Sequence, residues 1–130
     1  MSVGFRIANS PTDFHRAHDL MRAEGVSEQS LGFPTMMAFD DKEPVGLIGT
    51  SIQKGMIIAG PLVVKSDRRR IHMAIKMVEM YEMALRGMGI STFIFHVEEG
   101  GFLDKMISRY SDYQPYATEG KKKFFIRRLS

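Results

Sequence analysis

Three arginines, Arg68-Arg69-Arg70, stand where a polar turn, Ser66-Asp67, gives way to a helical pattern that begins Ile71-His72-Met73-Ala74. A helix N-terminus exposes unpaired N–H groups and a positive partial charge, so arginines there oppose the dipole at a cost of roughly a few tenths of a kcal/mol each. That cost is offset if an anion such as a diphosphate sits on the turn; a solvated first turn is the plainer reading. His96 alternates with Phe95 and Val97 and so projects to the other side of a strand, as a satisfied sheet histidine or as a base. Glu98-Glu99 follows at once and reads either as a polar strand end or as a carboxylate pair that takes up a proton.

Other polar clusters carry less. His15 and His18 lie three apart on a helical segment, but two imidazoles with no nearby carboxylate or thiol make a poor zinc site, and no metal is expected. Lys121-Lys122-Lys123 opens the last strand and reads as a charged edge that discourages strand pairing, ahead of a nucleic-acid patch. Tyr110, Tyr113 and Tyr116 cluster near the C-terminus, where packing is their first role.

These residues depend on the elements that position them. Phe5–Ala8 reads as an edge strand. Ser10-Pro11-Thr12-Asp13 then gives a helix start, with Ser10 as cap, Pro11 in the first position and Asp13 closing a capping-box-like pair. Phe14, Ala17, Leu20 and Met21 follow at helical spacing up to Gly25, so a helix is expected over 11–24. Residues 26–34 carry Ser, Gly and Pro without periodicity and read as a loop that ends at Phe33-Pro34. Extended runs over 35–39, 45–52 and 56–65, joined by Asp40–Glu43 and Gln53–Gly55, make an antiparallel meander. Gly60-Pro61 interrupts the third run, and because proline cannot donate to a ladder, a bulge or lost pairing is expected there.

A helix is expected over 68–87, burying Ile71, Ala74, Ile75, Val78 and Ala84 or Leu85, with Arg68, Lys76, Glu79, Glu82 and Arg86 outside. A strand over 90–97, a helix over 102–110 and a closing strand over 122–129 complete the order β-α-β-β-β-α-β-α-β. This is an α/β chain with a mixed sheet whose single parallel pair arises from the strand–helix–strand crossover. The interruption at Gly60-Pro61 falls on one strand of that pair, and strands that splay there would leave backbone groups free for an extended amide ligand.

The 130 residues suffice for one hydrophobic core, and no internal repeat or linker appears, so a single domain over 1–130 is expected. There is no cysteine, which excludes disulfides, thiolate metal sites and a cysteine nucleophile. No apolar run is long enough to span a membrane and no signal-peptide pattern opens the chain, so a cytoplasmic location is the default. The net charge of +3 suits an anionic ligand without specifying one, and the eleven methionines point to an adaptable core.

The segment Leu62–Ala74, a strand, a polar turn and Arg69-Arg70-Ile71-His72-Met73-Ala74, resembles the GNAT superfamily of N-acetyltransferases. The family's R/Q-x-x-G-x-G/A pattern is met by Arg69 and Ala74, while His72 replaces the first glycine. Tyr113-Gln114-Pro115-Tyr116 before Phe124-Phe125-Ile126 is similar to the family's aromatic corner, with Asp112 in the usual glycine's place. Element order agrees over residues 4–129. The resemblance implies the acyl-CoA N-acyltransferase fold, acetyl-CoA as cosubstrate, and direct acetyl transfer to an amine on a small molecule or a protein. It places the cofactor on Val63, Val64, Arg69, Arg70, His72, Met73 and Ala74, with a backbone N–H at Val63 or Val64 as oxyanion donor. It implies Glu98, Glu99 or His96 as base, and a tyrosine on the last helix as acid. The counted position for that acid holds Ser108, with Tyr110 two residues on. The departures at His72 and Ser108 keep a second reading in play, a non-catalytic interaction or assembly module that binds a protein partner or a second copy.

Overall fold

The computed structural model describes residues 3–27, 29–66, 70–109 and 112–129, with the backbone alone for Arg70, Ile71 and Phe102. Ten elements follow one another: β1 (Val3–Ile7), α1 (Pro11–Ala23), β2 (Met36–Asp40), β3 (Glu43–Gln53), β4 (Met56–Val64), α2 (Arg70–Gly87), β5 (Thr92–Glu98), α3 (Phe102–Ile107), β6 (Tyr113–Glu119) and β7 (Lys122–Arg128). The strands form one sheet in the order β1-β2-β3-β4-β5-β7-β6. Every pairing is antiparallel except β4 with β5.

Local chemistry accounts for the element ends. The Ser10 side chain accepts from the Asp13 N–H at 3.2 Å, with Pro11 in the first turn of α1. Asp13 does not return the bond to Ser10; its carboxylate accepts from the Asn9 N–H at 3.0 Å and from both terminal nitrogens of Arg6. That guanidinium holds the Asp13 carboxyl down to about 2, despite burial. At the other end Gly25 takes φ +72 and the Val26 N–H reaches back to the Met21 carbonyl, closing the helix.

Helix α1 covers one face of the sheet, where Ala17, Leu20 and Met21 pack on Met37, Phe39, Leu47 and Val63. Helices α2 and α3 cover the other face, with Ala74, Met77, Tyr81, Leu85 and Ile107 on Ile48, Leu62, Phe93, Phe95 and Phe125. Met21, Met36, Met37, Met73, Met77 and Met106 are all buried in these two layers.

Three expectations change. The C-terminal segment holds two strands, because Tyr113–Glu119 forms an outer strand that turns at Gly120-Lys121 into β7. Pro115 and an almost fully exposed side-chain pattern conceal β6 in the sequence, since an edge strand needs no buried face and tolerates proline. As a result β7 is an inner strand between β5 and β6, and the lysines of 121–123 do not protect an edge. Glu82, expected outside, is buried, because Arg127 and Tyr113 of the new hairpin supply it with partners.

Candidate functional site

The expected interruption at Gly60-Pro61 is present on both sides of β4. Toward β3, Leu62 pairs with Ile48 and Ala59 with Thr50, so Gly60 and Pro61 face Gly49 alone. Toward β5, the parallel ladder holds at Ile58–Ile94 and Ala59–Phe95 and then stops. Beyond it the two strands diverge around a cleft of ≈ 630 Å³ lined by Pro61–Val64 and Ser66 on one side and His96–Glu98 on the other. The α1–β2 loop, Leu103 and the lysines of the β6–β7 turn complete its rim.

Ladder alternation decides which backbone groups enter this cleft. The Lys65 N–H donates to the Val45 carbonyl at 2.8 Å, in register with Val64 opposite Gly46 and Val63 opposite Leu47. Lys65 and Val63 therefore turn their backbone groups toward β3, while Leu62 and Val64 turn theirs toward the cleft. Of the two amides expected as donors, Val64's is the one that faces the opening. The Val63 side chain is buried against α1, and Val64 is half-buried.

His96 lies at the apex. Gly60 takes φ +138, and a Cβ added there would overlap the His96 ring. The ring also meets Phe124 of β7, with centroids 5.9 Å apart. Burial, and secondarily the charge of Lys122, lower His96 to about 4, so the imidazole is neutral at physiological pH. Glu98 is exposed at the end of β5 and faces Lys122 across the ladder. Glu24, at the end of α1, accepts from the Ser66 hydroxyl at 2.9 Å and ties the loop to the end of β4.

At the start of α2, His72 is exposed, and Met73 and Ala74 are buried. A Cβ at Gly46 would stand 3.2 Å from the Met73 methyl, so Met73 packs inward and only its backbone is left to meet a ligand. The first turn of α2 contains no acidic side chain. Arg69 and Tyr110 fall outside the described residues, as does the Arg70 side chain. The cleft thus brings Val63, Val64, His96 and Glu98 together and adds Lys121 and Lys122, which the sequence had assigned to a strand edge. Gly120 was the available signal, as the turn of a hairpin that sets the lysines at its tip. Among the described residues no cluster of three metal-ligating side chains forms, and no helix is long and apolar enough to cross a membrane.

No protein-family model and no curated protein matches the chain. Solved structures match it along nearly its whole length. The PaiA N-acetyltransferase from Thermoplasma acidophilum, solved in complex with coenzyme A, aligns with a TM-score of 0.77 at 13% identity, covering 98% of this chain and 99% of that one. The ribosomal-protein-S18-alanine N-acetyltransferase from Escherichia coli gives 0.73 at 13% identity over 99% and 95% of the two chains. The aminoglycoside 6'-N-acetyltransferase from Enterococcus faecium gives 0.67 at 17% identity over 100% and 98%. At these identities the likeness is one of fold: the chain has the mixed-sheet fold of the GNAT N-acetyltransferases.

Proposed function

We propose that this protein is an acetyl-CoA-dependent N-acetyltransferase that passes an acetyl group directly to an amine. The observation that carries this reading is the parting of β4 and β5 after Ala59–Phe95, which turns the Leu62 and Val64 amides into an open cleft. A pantetheine arm is an extended amide and suits a strand that has lost its neighbour. The acid-free start of α2 suits the diphosphate, and the family resemblance assigns Arg69, Arg70 and His72 to it.

In this reading the Val64 N–H stabilises the oxygen of the thioester carbonyl as charge develops there. The amine nitrogen bonds to the carbonyl carbon and the carbon–sulfur bond breaks. One amine proton leaves through water to Glu98, and the departing sulfur takes a proton from Tyr110. His96, neutral at physiological pH, adds no positive charge to repel the amine. The alternative, a non-catalytic interaction or assembly module, would instead have a protein partner or a second copy occupy this cleft and would leave Tm unmoved by acetyl-CoA.

Acetyl-CoA at about 100 times its Kd should stabilise the fold by about 2.7 kcal/mol and raise Tm by roughly 10 °C. Arg69→Ala should shrink that shift, and His72→Glu should abolish it by placing a carboxylate against the diphosphate. A melting curve that does not move at millimolar acetyl-CoA would contradict the proposal.

A further inference from the structure

The two faces of the sheet separate the charges of the cleft. Phe95, Val97 and Phe125 face α2 and α3, so their strand neighbours His96, Glu98, Phe124 and Lys122 face the α1 side. The contact between the His96 and Phe124 rings agrees with this assignment. Helix α1 covers Met37, Phe39, Leu47 and Val63 of the first half of the sheet, which leaves the β5–β7 part of that side open beside it. The start of α2 belongs to the opposite face. An anion held by Lys122 is therefore not one that sits on the α2 terminus.

Lys121 and Lys122 are both exposed, both line the cleft, and neither is in an ion pair with a described residue. Glu98 is the cross-strand neighbour of Lys122, and directly opposed side chains on a ladder begin about 5 Å apart. Glu98 and Lys122 thus share the face where His96 reaches the apex, and Lys121 of the adjoining turn also lines the cleft. Among the described residues, the acidic ones lining the cleft are Glu24, already engaged with Ser66, and Glu98.

We propose that the acceptor is an amine of amino-acid type, whose own carboxylate is held by Lys121 and Lys122 while its nitrogen lies at His96 and Glu98. This rests on the acetyl-transfer reading, and it names the substrate class of that site. The probes are the N-acetyl derivatives of the common amino acids and the matching carboxamides, each titrated into the full chain in the presence of CoA. At least one acid should bind about tenfold more tightly than its carboxamide, the size of one charge-assisted hydrogen bond. Lys122→Ala and Lys121→Ala should bring that ratio toward one, and both variants should keep the Tm shift with acetyl-CoA alone. Carboxamides that bind as well as acids, a panel in which nothing binds, or an acid preference that survives in both variants would overturn the inference. The acetyl-CoA shift, read separately, reports on the transfer reading itself.

Discussion

A methyl group at Gly60 would meet the His96 ring and would also have to adopt φ +138, a conformation that side chains rarely take. Gly60→Ala should therefore cost roughly 2–4 kcal/mol in urea denaturation, from overlap and backbone strain together. His96→Ala in the Gly60→Ala background should recover the overlap and leave about 1 kcal/mol of backbone cost. Additive losses in the double variant would show that the two residues do not meet. The same histidine sets a pH dependence. Its pKa falls from an ordinary value of about 6.5 in the unfolded chain to about 4 in the fold, so between those values the unfolded state binds more protons. The stability it contributes is complete above about pH 6.5 and is lost as pH falls toward 4, by an amount on the order of 2–3 kcal/mol. His96→Gln should flatten that part of the stability–pH curve, and an unchanged slope in the variant would refute the assignment. Asp13, held low by Arg6, acts in a separate window, losing its contribution only as pH falls from about 3.9 to about 2.

At the scale of elements, the β6–β7 hairpin is fastened to α2 through a buried carboxylate. Glu82 accepts from Arg127 Nε and Nη2, both at 3.0 Å, and from the Tyr113 hydroxyl. Burial, followed by the Glu82 charge, pushes the Tyr113 hydroxyl well above its usual pKa, so it remains a donor. Removing one member leaves a buried charge without its partner, and Glu82→Ala should cost about 3–5 kcal/mol in chemical denaturation. A loss below about 1 kcal/mol would mean that the hairpin is held by other contacts. This network also marks where sequence reading stops. A charged residue on a helix reads as solvent-facing until a partner is known, and the partners of Glu82 lie 31 and 45 residues away. Strand β6 was hidden for a related reason, because its exposed side chains and Pro115 carry no two-residue alternation. Elements with local signals were legible: the Ser10–Pro11 start of α1, the meander, and the break at Gly60-Pro61. The lysines at 121–122 were visible as a cluster, but their place at the cleft follows from the strand order β5-β7-β6, a non-local property.

For the whole molecule, a sheet that is antiparallel except for one central pair has one place where two strands run side by side toward the same end. The crossover through α2 creates that pair, and the Gly60-Pro61 bulge ends it early. The opening lies at the carboxyl ends of β4 and β5, where α/β sheets commonly hold their ligands. The central claim is that the free edge of β4 is the seat of the cosubstrate. Amide NMR of the full chain during an acetyl-CoA titration tests this most directly. The Leu62 and Val64 amides should shift and gain protection from exchange, while Val63, already turned to β3, should shift less. Saturable binding that leaves the β4 amides unmoved and perturbs another region would contradict the account, as would no binding at all.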